Sequence, residues 1–70
     1  MNNAIFTTLR EGHPSAVFMH KVGGRQKEVE RFALYLLNCH RATEGVLCEY
    51  KDNNGDTIIR IIKRGAQWEN

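Results

Sequence analysis

The chain has a single proline in 70 residues and only two cysteines, Cys39 and Cys48, which do not form a CxxC pair. So few cysteines cannot build the multi-bridge framework that staples small secreted domains, and the expected setting is reducing and cytoplasmic. Long apolar runs are also missing. Runs such as Ala16–Met19 and Ala33–Leu37 fall far short of the roughly 20 residues that cross a bilayer. The start of the chain lacks the charged stretch and apolar stretch of an export signal, so the protein is expected to be neither exported nor membrane-bound. Neither GxxxxGK[ST] nor GxGxxG occurs, which removes the two common phosphate-cradling motifs. Charge of one sign is scarce as well. Ten Lys and Arg against eight Asp and Glu give +2 and a pI near 8.7, which permits an anionic partner without requiring one.

What is present is enough for one domain, residues 1–70, with 41% hydrophobic residues. A chain this short buries only about 60% of the surface its unfolded form exposes, which leaves little room for a deep cavity. A helix is expected from about Arg25 to Arg41, because Val29, Phe32, Ala33, Leu36, Leu37 and His40 recur at helical spacing on one side. Gly23-Gly24 before it offers no side-chain cap. A hairpin follows, Gly45–Lys51 and Thr57–Arg64, turning at Asn54-Gly55, the pair best suited to a two-residue type I′ turn. That turn would set Tyr50 opposite Ile59, Cys48 opposite Ile61 and Val46 opposite Lys63 on the core face. Lys51 would meet Ile58, Glu49 would meet Arg60 and Leu47 would meet Ile62 on the other. Upstream, Ala4–Leu9 and Ala16–Val22 read as a second strand pair around the loop Glu11–Ser15. The fold class is therefore α+β, in the order β-β-α-β-β: a four-stranded antiparallel sheet with one amphipathic helix on one face. The pattern leaves open which hairpin lies at the centre.

Candidates for chemistry are His13, His20, His40, Cys39 and Cys48. None forms a nucleophile, base and orienting group in sequence, so no enzyme and no cofactor is expected. Adjacent Cys39 and His40 point about 100° apart on a helix, which argues against a shared zinc, and no metal site is expected. Both cysteines read as small buried hydrophobes, and His40 as a boundary histidine at the helix end. Nucleic-acid binding competes on the strength of Lys51, Arg60, Lys63 and Arg64, with Arg10 and Lys21 beside them and Tyr50 and Trp68 as stacking surfaces. Glu49 and Asp52 interrupt that basic cluster, and the pattern turns Tyr50 inward. Trp68 is expected to fold back and close the core, with Gly65 as the bend.

The stretch Gly45–Trp68, GVLCEYKDNNGDTIIRIIKRGAQW, on a sheet-and-helix frame of this size, resembles the compact proteins with which bacteriophages block host machinery. It is similar in particular to some anti-CRISPR proteins and to small phage inhibitors of bacterial RNA polymerase. The resemblance is architectural and transfers no functional residue; it implies action by covering a surface that the target needs. The expected function is that of a non-enzymatic inhibitor or modulator. It would dock the outer sheet face on a larger protein or ribonucleoprotein complex, with RNA or DNA binding as the alternative and a monomer or homodimer as the state in solution. Leu47 and Ile62 would form the apolar centre, with Lys51, Arg60, Lys63 and Arg64 steering. Charge reversal at Arg60 and Arg64 would then abolish binding and spare the fold.

Overall fold

The computed structural model describes residues 2–23 and 25–65. Strands β1 (Asn2–Arg10) and β2 (His13–Val22), helix α1 (Gln26–Cys39), and strands β3 (Gly45–Lys51) and β4 (Thr57–Lys63) follow one another along the chain. All four strands form one antiparallel sheet in the order β2-β1-β3-β4. The two hairpins thus lie side by side, and β1 joins β3 through pairs such as Phe6 with Cys48 and Thr7 with Leu47. The expected fold class is the observed one. The expected folding back of Trp68 lies outside the described residues.

The first hairpin turns more tightly than its Gly-Pro-Ser composition suggests. Glu11 and Gly12 both take positive φ, 52° and 79°, and Arg10 pairs directly with His13, which makes this the two-residue connection whose twist suits antiparallel strands. A bulge between Thr8 and Leu9 absorbs one residue of β2. The Thr8 hydroxyl seals it, accepting from Ala16 N at 3.0 Å and donating to Ala16 O at 3.3 Å. Pro14 lies within β2, which is tolerable because β2 is an edge strand.

The second hairpin corrects the expected register by one residue. Lys51 pairs with Thr57, Leu47 with Ile61, Val46 with Ile62 and Cys48 with Arg60. The cause is Asp52. Its Oδ1 accepts from the backbone N–H groups of Asn54 and Asp56, both at 2.9 Å. Asp52 N also donates to Asp56 O, and Gly55 N to Asp52 O, each at 3.0 Å. Only Gly55 takes a positive φ, 85°, so the connection is the wider kind that ends on a left-handed glycine rather than a two-residue Asn-Gly turn. With side chains alternating along a strand, this one-residue difference exchanges the faces of β4.

The core follows from that register. Ala4 and Phe6 of β1, Val22 of β2, Val46, Cys48 and Tyr50 of β3 and Ile62 of β4 are buried beneath Val29, Ala33, Leu36 and Leu37 of α1. Phe32 sets its ring edge-on to Phe6 at 4.7 Å. The helix packs chiefly over β3, flanked by β1 and β4. On the helical side of β2 ring pairs give partial cover instead: exposed His20 stacks on Phe32 at 4.1 Å, and half-buried Phe18 approaches His40 at 5.7 Å. No helix among the described residues is long and apolar enough to cross a membrane.

Candidate functional site

One helix covers one face of the sheet, and the other face is bare. Alternation along each strand places Ile5, Thr7 and Leu9 of β1, Val17, Met19 and Lys21 of β2, Leu47, Glu49 and Lys51 of β3, and Thr57, Ile59, Ile61 and Lys63 of β4 on that open side. Val17 is 65% exposed, Met19 66%, Ile59 62% and Ile61 54%. The apolar side chains adjoin one another across the ladder. Met19 pairs with Ile5 and Leu47 with Ile61, and Ile5 and Ile59 each lie diagonal to Leu47. The result is a continuous apolar band across all four strands, about 14 Å between the outer strand axes at the usual strand spacing. Singly scattered apolar residues are ordinary on a protein surface, but a contiguous band of them marks an interaction surface.

Charge frames the band. Lys21 and Lys51 stand at one end of the strands and Lys63 at the other, with Glu49 between Ile5 and Ile59. Two shallow depressions flank it. One, of about 250 Å³, is bordered by Asn3, Ile5, Glu49, Lys51 and Thr57. The other, of about 270 Å³, is bordered by Leu9, Gly12, Glu44, Ile61 and Lys63.

Of the residues expected to form the site, Leu47, Lys51 and Lys63 share this open face, and the other three do not. Ile62 pairs with Val46, not Leu47, and is 1% exposed beneath the helix. Arg60 points to the helix, where its guanidinium bonds the Glu30 carboxylate at 3.0 Å. Partial burial opposes its charge, yet bonds to Glu30 and Tyr50 outweigh that penalty and raise its pKa. Arg64 turns back to the end of α1. Its Nε donates to Thr43 O at 2.9 Å, and its terminal nitrogen donates to His40 O at 2.8 Å and to Leu37 O. The last turn of α1 contains no basic residue of its own, so Arg64 supplies from β4's end the cation that helix carbonyls favour. Both arginines therefore fasten helix to sheet. Reversing their charge would disturb the fold, contrary to the expectation of a silent surface change.

The cysteines divide. Cys48 is buried, as expected, and its Sγ donates weakly to Val46 O at 3.7 Å. Burial pushes its thiol pKa up to about 12, against a lowering by Arg60, so no thiolate is available there at neutral pH. Cys39, expected beneath the helix, is exposed. It lies one turn from Tyr35, whose hydroxyl pKa is raised by a hydrogen bond to the Cys39 side chain and by the negative charge of its thiolate form. Both thiols are free. His40 is exposed at the helix C-cap. No cluster of three metal-ligating side chains occurs among the described residues.

The exposed members Ile5, Val17, Met19, Ile59 and Ile61 were not among the expected site residues, although the sequence carries a signal for them. Ile58-Ile59-Arg60-Ile61-Ile62 and Ala16-Val17-Phe18-Met19 are apolar at odd and even positions alike. A sheet covered on one face by a single helix must leave one parity of such strands outside. No protein-family model, curated protein or solved structure matches the chain.

Proposed function

We propose that this chain is a non-catalytic binding protein that docks the open face of its sheet on a larger protein assembly and blocks or modulates it by covering that surface. The observation that carries this is the contiguous band of Ile5, Val17, Met19, Leu47, Ile59 and Ile61, left uncovered beside a core already complete on the opposite face. Burial of the band would give residence, and Lys21, Lys51 and Lys63 would steer encounter. A binding role suits the chemistry better than catalysis does. The buried thiol is held protonated, and the depressions are shallow.

Direct RNA or DNA binding is favoured by the lysines alone. Single-strand binders stack bases on exposed aromatic rings. Among the described residues the open face has none: Tyr50 is 5% exposed on the core side and Tyr35 belongs to the helix. The test is affinity capture of the tagged protein from a bacterial lysate with and without nuclease, beside the variant Ile61→Glu, whose fold is checked by circular dichroism. A protein partner retained after nuclease and lost with Ile61→Glu is expected. Recovery that disappears with nuclease, together with oligonucleotide binding that weakens steeply with salt, would replace protein docking with nucleic-acid binding.

A further inference from the structure

We infer that the occupant of the open face is an acidic amphipathic helix of the partner protein, lying along the strands with carboxylates near both ends and a hydrogen-bond donor near its middle; this rests on the docking function proposed above. The first ground is charge. Lys21 and Lys51 bound the apolar band at one end and Lys63 at the other, against Glu49 in its middle and Glu44 beside Lys63, whose carboxylate already accepts from Gly12 N. A second copy of this chain packed face to face would set lysine against lysine in either two-fold arrangement, so self-association is opposed where carboxylates would be welcomed.

The second ground is dimension. The band is about 14 Å wide at ordinary strand spacing, which suits a helix of about 10–12 Å diameter better than a single added strand. Lys51 and the Gly45 that pairs with Lys63 lie six residues apart on β3, about 20 Å, which a helix spans in about 13 residues. The third ground is Glu49. It stands between Ile5 and Ile59, so a covering partner strips its water and must return a hydrogen bond. The same carboxylate in the middle of the band opposes an anionic lipid surface and a phosphate backbone, which would meet it with charge of like sign.

The probes are two helical peptides of about 18 residues with the same leucine stripe. One carries glutamates in its end turns and a central lysine, and the other has those charges inverted. Each is titrated into the isotope-labelled full chain by two-dimensional NMR. The glutamate-ended peptide should bind at least about ten-fold more tightly at low salt, shifting the resonances of Ile5, Val17, Met19, Leu47, Ile59 and Ile61. The double variant Lys51→Glu with Lys63→Glu, both at exposed positions, should reverse the preference. Equal or stronger binding of the inverted peptide on the same residues overturns the acidic partner and leaves the docking face standing. Shifts confined to the helical side, or no binding by either peptide, overturn both. Tighter binding of anionic vesicles or of oligothymidine to this face also overturns the acidic helix.

Discussion

Ile61 and Ile62 are neighbours in one strand with opposite surroundings: Ile62 is 1% exposed and Ile61 54%. The same contrast divides the whole sheet. On the helical side Ala4, Phe6, Val46, Cys48 and Ile62 are enclosed, and the charge that intrudes, Arg60, meets Glu30 at 3.0 Å. On the open side, isoleucine, valine and methionine side chains of equal hydrophobicity have only water and one another. Apolar side chains occur on both faces, and coverage by α1 decides which of them are buried. An antiparallel sheet can afford a wet face when that face is polar. Here an apolar band runs between its charged residues, and the difference between the faces locates stability on one and the proposed docking on the other.

The sharpest way to break that division is to shorten the two isoleucines in turn. Ile62→Ala removes a filled core position and should cost about 2–5 kcal/mol, a large share of the stability of about 4–10 kcal/mol usual for a chain of this length. Ile61→Ala should change stability by no more than about 0.5 kcal/mol. Urea denaturation midpoints at neutral pH compare the two, and equal costs would mean that both faces are packed.

The two cysteines sharpen the same contrast through pH. A thiol whose folded pKa lies near 12, above the ordinary 9.0, keeps its proton in the native state while the unfolded chain loses it. Its contribution to stability is complete below pH 9.0 and declines as the pH rises toward about 12. Urea midpoints measured between pH 8 and 10.5 should therefore fall more steeply for the wild type than for Cys48→Ala. Alkylation of the native protein should modify Cys39 and spare Cys48, in keeping with their exposure.

The smallest expected stability difference lies between adjacent cations. Arg64→Ala loses hydrogen bonds to Leu37 O and His40 O at the end of α1 and to Thr43 O in the connection that follows and should cost about 1–2 kcal/mol. Lys63→Ala, on the open face, should stay within about 0.5 kcal/mol of the wild type in stability while weakening the docked complex. Thermal or urea unfolding separates the two, and a larger cost at Lys63 would reverse the assignment of these residues to helix capping and docking.

Much of the fold is legible in the residues themselves. The helical recurrence of Val29, Ala33, Leu36 and Leu37 marks the face that is buried. The apolar Val46, Cys48 and Tyr50 identify the inner side of β3. Register along β4 is not fixed by its own residues, because apolar side chains occupy both parities and leave the turn to decide it. There the strong local preference of Asn54-Gly55 yields to the Asp52 carboxylate, which collects two backbone N–H groups. Three of the expected site residues are displaced by that single residue of slip: Ile62 into the core, Arg60 to Glu30, and Arg64 to the helix end. The paired roles of the arginines depend on contacts 30 and 21 to 27 residues away in sequence, which no local pattern contains.

The most direct test of the division between faces is a parallel capture from lysate with three baits: the wild type, Ile59→Glu with Ile61→Glu, and Tyr35→Glu. The substituted side chains are all more than half exposed, on the open face and on the helix respectively, so each variant should retain its circular dichroism spectrum. Loss of the partner with the isoleucine variant and its retention with Tyr35→Glu is the predicted result. Retention with the isoleucine variant, or loss only with Tyr35→Glu, would contradict docking through the open sheet face.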